Sequence, residues 1–289
     1  MRIFCVVDNH ISNSFDPSKW ARPNDTPSNH FLAEHGLSLL IETDEGRKVL
    51  FDAGASQLVF DHNLDLLGLD HEDIDLVYIS HGHYDHVGGL PGLIKAGVPV
   101  YTHPLTFKGR RYATRLDGSR RELTAPPAVM EALAGAELHY VSTSTELIPG
   151  VKVSGEVPRA FPFEAETKFI KDIDGKTSPD IMQDEQALFV NTKKGLLVVT
   201  GCGHPGPCNI VHLARRQTNR APYMLLGGLH LGGVPIGNDR ILRTMENLKN
   251  LGLERVAPMH CTGFNATKQL SDRFVHVDNI GSGAMIDIR

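Results

Sequence analysis

The sequence predicts an α/β protein with two mixed β-sheets facing each other and helices outside. Three observations carry that prediction. From residue 75 onward, apolar runs of strand length alternate with helical patterns, the order that gives layered α/β structures. Two hairpin-like runs, LSLLIETDEGRKVLF and ALFVNTKKGLLVVTG, each precede strand–helix units and give the chain a loose twofold rhythm. A GxGxxG turn near the first strand and a GxxxxGK[ST] loop are both absent, so a single nucleotide-binding sheet lacks its motif.

Taken in order, residues 2 to 7 are apolar and end at Asp8, which reads as a first strand and not as a signal peptide. Residues 37 to 51 form strand, turn and strand, with DEG in the turn. Residues 65 to 69 suggest no more than a helical turn. DLVYIS at 75 to 80 is a strand, VGGLPGLIKAG a short helix entered through glycines, and VPVYTH at 98 to 103 the next strand. TAPPAVMEALAG is a helix started by proline and stopped by glycine, and LHYV at 138 to 141 a further strand. After the hairpin at 187 to 201 come a helix at PCNIVHLARRQ, a strand at YMLLGG and an amphipathic helix over Ile241 to Leu251. RVAPMH is the last clear strand before a tail ending in MIDIR. No repeat or linker divides the chain, so residues 1–289 are expected to form one domain with irregular insertions near 104–135 and 149–186. Long irregular connections of this kind often serve as lids or walls of a site.

A chain of 289 residues buries roughly three quarters of its unfolded surface. Its net charge of −5 draws it neither to nucleic acid nor to an anionic membrane, although one basic patch or a metal can still hold a small anion. No run approaches the roughly 18 apolar residues of a membrane span. Cys5, Cys202, Cys208 and Cys261 are few and scattered, which argues for reduced thiols and a cytoplasmic setting. Nothing in the sequence sets the oligomeric state.

The strongest chemical signal is SHGHYDH, residues 80 to 86. His81, His83, Asp85 and His86 follow directly on an apolar strand. A loop can turn three imidazoles and a carboxylate toward a common point, whereas a continuing strand would alternate them between faces. Nitrogen and carboxylate donors suit zinc, manganese or iron. Gly82, Gly88 and Gly89 permit close approach of the backbone. Two cations a few ångströms apart can share a water and lower its pKa.

SHGHYDHVGG resembles the HxHxDH signature of the metallo-β-lactamase fold, an αββα sandwich. That resemblance implies two divalent metal ions, zinc by donor type with Mn or Fe as alternatives. It puts His81 and His83 on one ion and Asp85 and His86 on the other. FDAG resembles the upstream Asp-x-Gly element, so Asp52 would orient a ligand rather than bind metal. VVDN, EHGLSLLIET, DEQAL, GCGHPG, GGLHL and MHCTG narrow the likeness, over nearly the whole chain, to a branch related to a dihydropterin-linked synthase. The branch implies either a metal-dependent hydrolase acting on a small anionic substrate or a transferase condensing a dihydropterin with an aryl ribofuranosyl phosphate. A metal-binding regulatory protein without turnover is the weaker reading.

His204 and His260 each follow an apolar strand and complete the ligand set. His230 is open between ligand, substrate donor and general acid, and with Asp85 it is the candidate for proton transfer. The superfamily commonly has a Gly-Asp pair where this chain has Gly201-Cys202. The Cys202 thiolate therefore either replaces a bridging carboxylate or packs beside His204. Lys108, Arg110 and Arg111 form a basic cluster that is either a solvated loop or a phosphate site. Arg159 and Glu185 are further candidates for substrate contact, and Asn9, His30 and His35 for another wall of the pocket.

Overall fold

The computed structural model describes residues 1–11, 24, 26, 28–115, 117–166, 168–234, 238–274 and 276–288. The chain divides into two compact units. The first comprises Met1–Tyr140, Ile170–Ser178 and Ile280–Arg289; the second comprises Val141–Phe169 and Pro179–Asn279.

In the first unit a seven-stranded sheet runs in the order Met285–Asp287, Arg2–Val7, Ser38–Glu42, Lys48–Phe51, Leu76–Ile79, Val100–Thr102 and Leu138–Tyr140. The hairpin expected at 37 to 51 is present, with Leu39 opposite Phe51 and Ile41 opposite Val49. From Lys48–Phe51 onward the strands are parallel. Leu76–Ile79 is buried at all its positions, as a central parallel strand covered on both faces should be.

The helices Leu90–Lys95 and Pro127–Leu133 lie where the proline and glycine signals put them. A third helix, Gln57–Leu66, replaces the single turn expected near residue 65; Ser56 caps it by accepting from the Val59 N–H. Residues 104–135 and 149–186 are also more regular than their composition suggests. They supply Arg110–Thr114, Arg120–Glu122, Phe169–Ile173 and Lys176–Pro179 to a four-stranded sheet. The C-terminal tail is likewise structured: Met285–Asp287 pairs antiparallel with Arg2–Val7, Arg2 opposite Asp287.

The second unit has its own seven-stranded sheet: His276–Val277, Arg255–Met259, Pro222–Gly228, Gly195–Thr200, Leu188–Thr192, Val151–Val153 and Thr145–Ile148. Its first four strands are parallel and the rest antiparallel. The helices Pro207–Thr218, Asp239–Asn250 and Phe264–Ser271 belong to this unit. Ile241, Thr244, Met245 and Leu248 are the buried residues of Asp239–Asn250, the spacing of one helical face. Ile241, Met245 and Leu248 join Phe189, Val198, Val211, Leu225 and Val256 in the core. Among the described residues no helix is long and apolar enough to cross a membrane.

Candidate metal centre

Every predicted ligand sits just beyond the carboxyl end of a parallel strand, where α/β sheets present their ligand-binding loops. In the first unit Asp52 follows Lys48–Phe51, and the SHGHYDH loop follows Leu76–Ile79. Asp52 is fully buried and adopts φ 60, a left-handed conformation rare outside glycine. Its Oδ1 accepts from the Ser80 N–H at 2.7 Å; its Oδ2 accepts from Ser80 Oγ at 2.8 Å and faces His86 Nδ1 at 2.7 Å. Burial pushes the Asp52 carboxyl up, opposed by the His86 charge and these hydrogen bonds.

This network fixes the tautomers of two of the rings. Ser80 has one hydroxyl proton and donates it to Asp52, so at 2.9 Å it accepts from His81 Nδ1. His86 likewise donates Nδ1–H to Asp52. Both rings therefore keep the Nε2 lone pair, the form in which neutral imidazole binds a cation. His81 Nε2 lies 3.1 Å from His83 Nδ1, and the His81 and His86 rings are 4.2 Å apart.

Asp85 is nearly buried, and its Oδ2 faces His35 Nε2 at 3.2 Å. Asn9 Nδ2 donates to His35 Nδ1 at 3.1 Å, so His35 presents Nε2–H to Asp85. Of the three residues expected as a further wall, Asn9 and His35 thus reach the site, while the His30 carbonyl pairs with His62. Gly82 explains how the loop packs: a Cβ there would lie 1.9 Å from the Thr106 carbonyl oxygen.

In the second unit His204 follows Gly195–Thr200. Glu185 holds it from below: Oε1 accepts from the Gly203 N–H at 2.5 Å, while Oε2 accepts from the His204 N–H at 2.9 Å and its Nδ1–H at 2.5 Å. Glu185 was expected to contact substrate. Instead both oxygens orient a predicted ligand, in a site with about 1% exposure on either side chain. His204 again keeps Nε2.

The His230 ring packs at a tilt against His204 with ring centroids 4.4 Å apart, and both rings contact Phe169. Its Nδ1 faces Glu166 Oε1 at 3.1 Å, and Arg240 Nη1 donates to the same oxygen at 2.6 Å. Burial pushes the Glu166 carboxyl up, but the His230 hydrogen bond and charge, with Arg240, outweigh it and hold it at about 2. Nothing in EAETK marked Glu166 as a partner of His230.

His260 follows Arg255–Met259 at φ 49, and His230 has φ 48, so both late histidines share the left-handed backbone of Asp52. Cys202, His260 and Cys261 bring one donor atom each within 4.8 Å of one another. Cys261 Sγ also donates to the Cys202 carbonyl at 3.2 Å. Cys202 thus lies within reach of a predicted ligand. Cys208 is fully buried in its helix, and burial drives its thiol pKa far up.

The predicted basic cluster separates. Lys108 is exposed, Arg110 forms a two-point ion pair with Glu122, and Arg111 is buried, donating Nη2–H to the Leu105 carbonyl at 3.0 Å. Arg159 Nη1 and Nη2 donate to the Val157 and Ile181 carbonyls at 2.6 and 2.7 Å. It lines a cavity of about 350 Å³ with Glu166, Met182 and His204.

Each unit thus carries buried imidazoles of fixed tautomer with a carboxylate behind them, donors suited to divalent metal ions. The fold is that of the metallo-beta-lactamase superfamily of enzymes, and the chain belongs to it: the family profile matches residues 33–216.

Within that superfamily it is similar to the 7,8-dihydropterin-6-methyl-4-(beta-D-ribofuranosyl)-aminobenzene-5'-phosphate synthase of Methanocaldococcus jannaschii. The two are 32% identical over 261 residues, covering 84% of this chain and 86% of the relative. A crystal structure of a metal-dependent hydrolase of the beta-lactamase superfamily is 30% identical, with a TM-score of 0.80 over 100% of this chain and 99% of that one. Zn(2+)-bound PqqB from Methylobacterium extorquens superposes with a TM-score of 0.53, covering 99% of this chain and 100% of that one. At 13% identity it speaks for the fold alone.

Proposed function

We propose that the chain is a metal-dependent hydrolase acting on a small anionic substrate. His81, His83, Asp85, His86, His204 and His260 are its ligands for two divalent cations, zinc by donor type. The observation that carries this reading is the shared tautomer of His81, His86 and His204. Each commits Nδ1–H to a buried oxygen and keeps the Nε2 lone pair. Whole-length likeness to a metal-dependent hydrolase supports the same reaction class. When bound, such cations supply Lewis acidity and bring the pKa of a water toward neutrality.

The remaining work falls to the chain's own side chains. Asp85, held by His35, receives a proton from the attacking water. His230, fixed through Nδ1 by Glu166, delivers a proton from Nε2 to the leaving group. Arg159 spends two N–H groups on carbonyls, which sets its guanidinium plane and leaves further donors for an anionic substituent.

The synthase relative favours a second reading, condensation of a dihydropterin with an aryl ribofuranosyl phosphate. Protein loaded with Zn²⁺, Mn²⁺ or anaerobic Fe²⁺ should be assayed on phosphodiesters, on lactones and on the pterin pair. Water-dependent cleavage supports the hydrolase. Formation of the coupled pterin product without cleavage overturns it in favour of the synthase. A metal content of zero after purification without chelator, with no uptake on titration, overturns both.

A further inference from the structure

The helix Pro207–Thr218 starts beside His204 and ends at a second concavity of about 540 Å³, which none of the predicted ligands lines. His212, Arg215, Arg216 and Arg220 line it, with Asn219, Ala221 and Leu251, and no carboxylate is among the lining residues. Arg47, Arg110, Arg240 and Arg255 each face an Asp or Glu elsewhere in the protein. Among the described residues Arg215, Arg216 and Arg220 have no acidic partner. Three guanidinium charges thus share one concavity in a chain whose net charge is −5.

A helix C-terminus attracts cations, and that alone accounts for Arg215 and Arg216 in the last turn. It does not account for Arg220, which lies beyond the helix. Asn219 ends the helix in a left-handed conformation, φ 53, and the chain turns so that Arg220 lines the same concavity. Two of the guanidiniums are also anchored from different sides. Arg215 Nη1 donates to the Leu251 carbonyl at 2.9 Å, and Arg220 Nη2 to the Thr192 carbonyl at 2.8 Å. Each anchor takes one of five N–H groups and restricts the side chain, which reduces the entropy lost on gripping a ligand. Planar guanidinium forks match the oxygens of a phosphoryl group, and the volume falls within the range of small-molecule sites.

We propose that this concavity is a binding site for the phosphoryl group of a small phosphorylated molecule, separate from the histidine cluster and independent of the reaction assigned to it. The sources of that chemistry are free phosphate and a phosphomonoester. Full-length protein is titrated calorimetrically at low ionic strength with inorganic phosphate, ribose 5-phosphate and uncharged ribose. Binding of either phosphoryl compound, with none of ribose, is expected. Tighter binding of ribose 5-phosphate identifies a phosphomonoester site, and equal binding a free-phosphate site.

The double variant Arg216→Gln/Arg220→Gln should bind at least about tenfold more weakly, since charge-assisted hydrogen bonds are lost. Arg216→Gln alone removes no anchoring bond and so leaves the fold untouched; it should also weaken binding. Arg115→Gln, an exposed arginine of the first unit, should change nothing. Absence of binding, binding that survives in both variants, or an RNA oligonucleotide bound more tightly than the monoester each overturns the proposal.

Discussion

Gly82→Ala tests how the SHGHYDH loop is seated. The added Cβ would lie 1.9 Å from the Thr106 carbonyl oxygen and 2.9 Å from its carbon. Reaching even the 3.0 Å that real Cβ atoms respect requires an opening of about 1 Å. Neither side can yield easily. Thr106 is buried, with its N–H on the His103 carbonyl at 3.1 Å and its hydroxyl accepting from Thr102 at 2.8 Å. On the other side His83 bridges Thr124, and the Tyr84 N–H donates to the Leu123 carbonyl at 2.9 Å.

A backbone-on-backbone collision of this size should cost about 3 kcal/mol or more, at the top of the range for overpacking. Because Gly82 separates His81 from His83, the same shift should lower metal affinity by about 10- to 100-fold. Urea denaturation of metal-free protein reads the first effect, and chelator competition the second. Gly135→Ala is the control: no heavy atom lies within 4 Å of its new Cβ, so it should be neutral or stabilising by less than about 1 kcal/mol. A Gly82→Ala protein with the wild-type urea midpoint and the wild-type metal affinity would refute the seating argument.

Glu185→Gln should weaken metal binding by about 10- to 100-fold, because one amide donor must face either the Gly203 N–H or the two His204 donors; unchanged affinity in a chelator competition would count against its orienting role. Glu166 has a folded-state pKa held down to about 2 from an ordinary 4.5, so its contribution is present above pH 4.5 and is lost as pH falls toward 2. At roughly 1.4 kcal/mol per unit that is about 3 kcal/mol, and the stability gap between wild type and Glu166→Gln should narrow between pH 7 and pH 2.5 in urea titrations. A gap constant with pH would contradict the coupling to His230 and Arg240. In native protein Cys5 and Cys208 should resist iodoacetamide while Cys261 reacts, since burial raises the first two thiols and Cys261 is partly exposed; mass spectrometry of peptides decides, and early labelling of Cys208 would be the adverse result.

What could be read from the sequence follows the range of the interactions. The hairpin at 37 to 51, the strand before SHGHYDH and the helix at 241 rest on local alternation, turn residues and helical spacing, and all lie where those signals put them. The helix Gln57–Leu66 was hidden because one of its buried positions is Asn63. That side chain is satisfied by distant backbone, the Val6 and Leu32 carbonyls and the Leu32 N–H. Met285–Asp287 depends on pairing with the opposite end of the chain, which no local window contains. A local signal does mark the hairpin in the second insertion: Asp174-Gly175, both at positive φ, is a hairpin dipeptide between Phe169–Ile173 and Lys176–Pro179.

The site divides in the same way. Its histidines are conspicuous because each follows an apolar strand. Their carboxylate partners are not, since Glu185 and Glu166 reach His204 and His230 across 19 and 64 residues.

Glu164 ties one irregular segment to the fold in a further way. It is fully buried, its two oxygens accept from the Cys208 and Asn209 N–H groups at 3.1 Å, and it fills the space a Cβ on Gly206 would need. The start of Pro207–Thr218 therefore has its anion already, supplied by the chain itself from more than 40 residues away. The segment around 164 is thus not an interchangeable loop. A chimera that imports the corresponding stretch of a relative inherits a working helix start only if a carboxylate arrives at this position. Without one, two buried amides lose their acceptor within five residues of His204, and a change made for substrate choice becomes a change in the metal corner.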